Sequence, residues 1–312
     1  MKLFKLSTPA LVLVVSSGYA MADVSIYGKA NVSVNSYDDG SESQWELNSN
    51  ASRLGVKGSY EISDDLEAIY QMEFEVHIDD GSKDSQTFSQ RNIYAGLKGS
   101  FGTILAGKHD SPLKLAQGKI DRFNDLQVGD IKNFLEGEDR VSNIIMYTTP
   151  ALNGLTATVA LVPGENAEDG EDGIADGSSI SVKYAHDAFT ASISHNSDID
   201  SQDTTRFVAE TKLAGIDIGF LWQTAEKTDN SADEDSAMIS AQYSLGNGYA
   251  IKGQYGQTDY SNADKDTQIV FGVDKKLNKN SKLYAYYAQV ETDTAESDKD
   301  KSSLAIGYEL KF

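Results

Sequence analysis

The residues GTILAGKH (102–109) come within one position of the phosphate-cradling pattern G-x-x-x-x-G-K-[ST]. His109 stands where a hydroxyl would have to reach magnesium, and the segment reads as a strand with no helix after it, so no phosphate site is expected. His77, His109, His186 and His195 show no metal-ligand spacing such as H-x-x-x-H. No nucleophile elbow G-x-S-x-G is present. Glu73 and Glu75 share one face of an extended segment, about 7 Å apart. Paired carboxylates of a hydrolase could use that spacing, but nothing else in the chain supports such chemistry. The loop GENAEDGEDGIADG (164–177) departs from the EF-hand order. It reads as a solvated loop, with weak divalent-ion binding as the minor option. No cofactor, no metal site and no enzymatic activity are expected. The chemistry left is fixed charge: five arginines, Arg53, Arg91, Arg122, Arg140 and Arg206, and an acid-rich stretch, HDSPLKLAQGKIDRFNDLQVGDIKNFLEGED (109–139).

The elements that must position these charges alternate apolar and polar residues with period two, the signature of strands with one wet and one apolar face. In DVSIYGKANVSVN, Val24, Ile26, Ala30, Val32 and Val34 share a face opposite Tyr27, Lys29, Asn31 and Ser33. In LEAIYQMEFEVH, Leu66 to Val76 alternate with Glu67, Gln71, Glu73 and Glu75. About sixteen such segments recur, most near the 9–11 residues a tilted strand needs to cross a bilayer. Short turns near 63–65, 99–102, 150–154, 186–188, 213–215, 246–248 and 278–280 alternate with longer polar loops. Those loops fall near 36–44, 78–85, 164–177, 198–203, 227–235, 259–265 and 293–299, and a transmembrane barrel connects its strands in this order. The 31-residue connection 109–139 stands apart, and a loop that long is usually functional.

Alternation also assigns the cations. With Leu54, Val56 and Tyr60 facing lipid, Arg53 and Lys57 point inward; with Val141, Ile145 and Tyr147 outside, Arg140 points inward. Arg91 stays open: it faces in if Phe88 and Tyr94 face out, and out if Ile93 and Leu97 do. A lipid-facing arginine at mid-depth costs about 2–4 kcal/mol, which favours the lumen.

Residues 1–22 read as a secretory signal peptide: Lys2 and Lys5, an apolar run to Val15, and the Ala20-Met21-Ala22 site. Residues 23–312 then form one domain. Its net charge is 25 − 48 = −23 once Lys2 and Lys5 are removed from the 27 basic residues, which disfavours a nucleic-acid partner. An exported chain without cysteine has no disulfide framework. The mean hydropathy of −0.41 excludes helical spans but not a barrel, which hides its apolar residues on alternate positions. The last strand, LAIGYELKF, alternates strictly and closes on Phe312. Hydrocarbon cannot satisfy a free sheet edge, so this strand is expected to pair with the first and turn Phe312 toward lipid.

The segments DVSIYGKANVSV, SRLGVKGSYEISDDLEAIYQMEFE (52–75), SQRNIYAGLKGSFGTILAGKHD (89–110) and the ending GYELKF, in this order, resemble the general porins of Gram-negative bacteria, of the type found in neisserial and related proteobacterial outer membranes. The resemblance spans essentially residues 23–312. It implies an all-β, 16-stranded antiparallel transmembrane barrel, usually trimeric, whose long third outer loop folds into the lumen as a constriction. It implies a passive diffusion channel for ions and small hydrophilic solutes, set among outer-membrane lipid and lipopolysaccharide. The terminal strand ending in Phe312 would be read by the outer-membrane assembly machinery. It places a basic cluster on the pore wall at Arg53, Arg91 and Arg140, with Lys29 and Lys57 as weaker members. Loop acids would oppose that cluster, the candidates being Asp121, Asp125, Asp130, Glu136 and Glu138. The enteric PEFGG-type loop motif is absent. A sugar-selective porin is the alternative, which an aromatic track along the lumen would favour; most tyrosines read as lipid-facing, though Tyr27 faces in. An enzyme or adhesin on a barrel platform would need a catalytic constellation or much larger outer loops. The −23 charge and Glu67, Glu73 and Glu75 along one wall point to cation preference, against the pull of the basic cluster.

Overall fold

A computed structural model describes residues 23–81, 86–166, 172–228, 233–261, 264–293 and 299–312. The expected signal peptide lies outside the described residues, as do residues 167–171 of the acidic 164–177 loop.

The strands are β1 (Asp23–Asp38), β2 (Ser43–Ser49), β3 (Arg53–Ser63), β4 (Leu66–Val76), β5 (Phe88–Gly99), β6 (Gly102–Asp110), β7 (Arg140–Thr148), β8 (Leu155–Val162) and β9 (Gly177–Ala185). They continue as β10 (Phe189–Ile199), β11 (Gln202–Leu213), β12 (Ile216–Lys227), β13 (Asp233–Gly246), β14 (Tyr249–Tyr260), β15 (Lys265–Lys276), β16 (Ser281–Asp293) and β17 (Lys299–Lys311). Apart from β2 and β3, which do not pair with each other, each pairs antiparallel with its chain neighbours, and β17 pairs with β1 from Lys311↔Lys29 to Ser302↔Asp38, so the sheet closes without an edge. β2 and β3 form one barrel strand. Both lie along β1, on Val32–Asp38 and Asp23–Lys29, and are parted only by Asn50, Ala51 and Ser52. Ala51 has a positive φ of 47°, and the Ser52 hydroxyl closes the gap onto the backbone of Asn31. The barrel therefore has sixteen staves.

The outer face is apolar and open to its surroundings: Ile26 and Ile306 are each 70% exposed, and Trp45 is 76% exposed. A soluble sheet would bury such residues; a transmembrane strand presents them to hydrocarbon. Phe312 exchanges both backbone hydrogen bonds with Gly28 and is itself exposed, as the alternation requires. Its ring lies over Gly28, where an added methyl carbon would come within 2.3 Å of it.

Two connections differ from the sequence reading. The segment 198–203 is no long loop: β10 and β11 are joined by Asp200 and Ser201, both at positive φ, the geometry of a two-residue hairpin. The connection at 36–44 shrinks to residues 39–42 because β1 and β2 extend into it.

The inner face carries a larger surprise. Polar residues line it along β1, but on β11–β16 it carries Val208, Leu221, Met238, Val270, Ala288 and Val290, all buried. What buries them is the 111–139 segment. It opens with helix α1 (Pro112–Ala116), capped by the Ser111 side chain and started by Pro112, and later makes a 3-10 turn over Ile131–Asn133. Ile120, Phe123, Leu126, Val128, Ile131, Phe134 and Leu135 from this segment pack into two apolar clusters with those strand residues. At roughly 1.5–3 kcal/mol per fully buried large side chain, this contact dominates the segment's placement. Tyr284 and Tyr286 face inward in the same packing, so Tyr27 is not alone among the tyrosines in turning away from lipid.

Candidate functional site

Opposite the apolar seat, the segment meets the wall of β1 and β3–β7 through charge. Lys29 and Arg53 each donate to the Asp125 carboxylate at 2.5 Å. Arg91 forks onto two acids of β4, Nε to Glu73 at 2.8 Å and Nη1 to Glu75 at 3.0 Å. Tyr27 donates to the other Glu73 oxygen at 3.0 Å. Arg140 donates to Asn92 at 2.7 Å and sits 3.0 Å from Asp110, beside Lys114. The planar guanidinium fork suits such shared carboxylates better than an ammonium would.

The facing of Arg91 is settled by a bulge. Register between β4 and β5 shifts from Met72↔Ile93 to Phe74↔Gln90, so Arg91 and Asn92 both point inward. Phe88 and Leu97, the markers of the two opposed readings, are both exposed. Simple alternation had no room for two successive inward residues. A second register shift, between Gly107 and His109 on β6, accompanies Asn143 at positive φ on β7. It turns Val141, expected outside, against the inner cluster of Leu105, Ile144 and Met146, while Ile145 and Tyr147 remain outside.

The five loop acids do different things. Asp125 alone reaches the basic wall. Asp121 and Asp130 face back into their own segment: Asp121 accepts the N–H of Phe123 and of Ile131, and Asp130 those of Asp125 and Lys132. Burial, and the neighbouring Asp130 charge, push the Asp121 carboxyl well up. Glu138 is held by Arg206 at 2.7 Å, on the far wall. Glu136 leaves its side chain exposed and bonds through its backbone. Lys57 stays apart from the wall cluster, its ammonium 5.2 Å from the Tyr27 ring centroid.

Glu73, Glu75 and Asp110 were missed as partners of the arginines. An inward acid on the strand next to an inward arginine carries no local signal in sequence, although Glu73 and Glu75 were legible as lumen-facing. Arg206 was missed too: it is wholly buried beneath the segment, donating to Gln223, Glu138 and the carbonyl of Glu136. Between segment and wall lies a cavity of about 630 Å³, lined by Arg53, Arg91, Arg140, Glu75, Asp110 and Asp125 with Asn50, Asn124 and Gln127. Among the described residues no aromatic side chain lines it. Among the described residues no cluster of histidine and carboxylate could hold a metal ion.

Burial would raise the Asp125 carboxyl, but Lys29 and Arg53 outweigh it and hold the group at about 2. Against an unfolded value near 3.9, the pair contributes roughly 2–3 kcal/mol. That stability is fully present above the unfolded value and lost as pH falls through about 2. Single-channel current is therefore expected to hold steady from pH 7 to 4 as far as Asp125 governs it. A titration of the current centred between pH 4 and 6 that disappears in Asp125→Asn would contradict this pairing.

A closed sixteen-stave barrel, apolar outside, with a charged gap inside defines a diffusion channel of an outer membrane. The chain belongs to the Gram-negative porin family, whose model matches residues 10–295. It is 27% identical over 334 residues to outer membrane porin protein 32 of Delftia acidovorans, covering 97% of this chain and 92% of that one. It is 32% identical over 179 residues to major outer membrane protein P.IB of Neisseria sicca, covering 52% of this chain and 48% of that protein. Among solved structures, the anion-selective porin from Comamonas acidovorans superposes with a TM-score of 0.75 at 19% identity, over 94% of this chain and all of that one. The trimer form of OmpT, an outer membrane protein of Vibrio cholerae, gives 0.69 at 15% identity, over 93% and 99%. The protein is an outer-membrane porin.

Proposed function

We propose that solutes cross between the Asp125 edge of the 111–139 segment and the wall carrying Arg53, Arg91 and Arg140, and that this gap is the constriction. The observation that carries it is the division of the segment's contacts. Its apolar side fills the β11–β16 half of the lumen, so the polar cavity on the other side is the path left for water. Fixed charges there orient polar solutes and penalise apolar ones. The traffic is ions and small hydrophilic solutes down their gradients, with no chemical step. The absence of a cysteine gives a clean test. A single Asn124→Cys variant, modified by a bulky methanethiosulfonate, should lose about half of its single-channel conductance in a planar bilayer, on the order expected for narrowing a pore at its neck. Modification of a lipid-face Trp222→Cys should change nothing. Unaltered current through modified Asn124→Cys would move the constriction elsewhere.

The sugar-selective reading is weaker. Tyr284 and Tyr286 face inward but are sealed under the segment, Tyr27 is tied to Glu73, and Tyr37 and Tyr94 pack against the inner apolar clusters, so among the described residues no aromatic track lines the cavity. Anion selectivity is named for the Comamonas porin. Here the cavity lining is nearly balanced, five basic residues (Arg53, Arg91, Lys114, Lys132, Arg140) facing six acids (Glu75, Asp79, Asp110, Asp125, Asp130, Glu138). Selectivity should therefore be weak and follow the acidic chain toward cations. Reversal potential in a tenfold salt gradient reads it directly, and Asp125→Asn should shift it toward the anion side by unmasking Lys29 and Arg53.

The remaining parts of this reading are a signal peptide over residues 1–22, a homotrimer with lipopolysaccharide at its outer rim, and recognition of the Phe312 strand by the assembly machinery. The trimer form recorded for OmpT supports the second.

A further inference from the structure

Gly253, midway along β14, is unlike most strand glycines of this barrel. At Gly28, Gly55, Gly96, Gly256 and Gly307 an added methyl carbon would lie 2.2–2.4 Å from a neighbour. At Gly253 the nearest atom is 3.7 Å away. A glycine inside a strand weakens it, and crowding does not explain this one. Gly253 belongs to the outward row of Ile251 and Tyr255 and pairs in register with Ala241 on β13 and Phe271 on β15. Over it opens a groove of about 670 Å³ in the lipid-facing surface. Ala241, Gly253, Gly272 and Ala285 are its small residues, and Tyr243, Phe271 and Tyr287 rise beside them. Filling the position would close the groove; glycine keeps it open.

Where the groove lies identifies what fills it. Gly253 is four residues from Tyr249, where β14 leaves the short turn at 246–248, about 13 Å along the strand at 3.3 Å per residue. With the strand tilt and an apolar band roughly 25 Å tall, this is the half of the membrane on the short-turn, periplasmic side. At that rim stands Lys275, paired with Tyr249 one step beyond the groove pair Ile251↔Val273. Its ammonium lies 3.9 Å from the Tyr249 ring centroid and donates to the carbonyl of Asn247 at 2.6 Å. A cation fixed on an aromatic at the interface, with an apolar channel running inward from it, matches a phosphate that carries a hydrocarbon chain.

We propose that this groove seats one acyl chain of a glycerophospholipid from the periplasmic leaflet, with its phosphate at Lys275. The site rests on the outer-membrane location and not on the permeation path. The experiment is a titration of the detergent-solubilised oligomer with phosphatidylglycerol, read by native mass spectrometry. Gly253→Leu, which has room for its side chain, should lower bound lipid at least tenfold, and Ala241→Leu should do the same if Gly253→Leu does not fold. Lys275→Gln should weaken binding about fivefold, the scale of one interfacial lysine. Single-channel conductance should match the parent protein in all three, which reports an intact barrel and separates this result from any failure of the constriction assignment. Parental lipid binding by the folded leucine variants would overturn the proposal. So would loss of the oligomer with lipid binding unchanged, since the groove would then be a contact between copies of this chain.

Discussion

Replacing Arg206 by alanine is expected to cost about 3–5 kcal/mol of folding free energy, although the residue touches neither the pore wall cluster nor solvent. Its side chain is wholly buried, and its three nitrogens are spent on Gln223, Glu138 and the carbonyl of Glu136 at 2.7, 2.7 and 2.8 Å. Alanine would strand the Glu138 carboxylate in a site where burial already pushes its pKa up, countered by Arg206 and Lys114. It would also leave the Glu136 carbonyl with the Gln223 amide as its remaining partner. The loss falls on the leg that returns the 111–139 segment to β7. The variant should therefore show both a lower urea midpoint in lipid and a noisier open state in single-channel records. The control is the double variant Arg206→Met, Glu138→Gln. Removing both charges strands neither, so most of the lost stability should return. If the single and double variants unfold at the same midpoint, the buried pair is not what holds that leg.

The chain made its outer face legible and its inner face only in part. Period-two alternation identified the staves, and closure followed from the cost of a free edge in hydrocarbon, which puts Phe312 beside Gly28. Arg53 and Arg140 fell on the inner side by the same rule. Alternation broke at Arg91 and Val141 because each lies at a register shift, and a bulge adds a residue without leaving a mark in the hydrophobic pattern. The loop acids were beyond reach for a different reason. Asp121, Asp125 and Asp130 are equivalent as residue types, and what separates them is which backbone N–H groups the fold of 111–139 brings within reach. The inward apolar residues of β11–β16 are the instructive case. Leu221 and Met238 are apolar on the inner face of their strands, and only the apolar side of the long segment explains why water does not meet them.

That apolar seat makes the second large effect. Phe134→Ala should cost about 3–5 kcal/mol, the range for emptying a buried aromatic site. Phe134 is 2% exposed, its carbonyl accepts the Thr258 hydroxyl, and its ring occupies the hollow over Gly256. A methyl carbon at Gly256 would come within 2.2 Å of that ring, while the neighbouring hollows at Gly219 and Gly272 seat Ile120 and Phe123 at 2.7 and 3.0 Å. Gly256→Ala alone should then destabilise by about 1–3 kcal/mol through overpacking. In the Phe134→Ala background the same substitution meets no ring and fills part of the space left behind, so its cost should vanish or change sign. The coupling, read as urea midpoints of the four proteins, isolates the ring-in-hollow contact from the intrinsic effect of alanine in a strand. Both single variants should let the segment leave the β11–β16 wall and swing toward the wall of Arg53, Arg91 and Arg140, giving long closures in bilayer records; the double variant should restore part of the open time. Additive midpoints would mean that Phe134 is held by its carbonyl bond and the surrounding cluster, and that the glycine serves the strand alone.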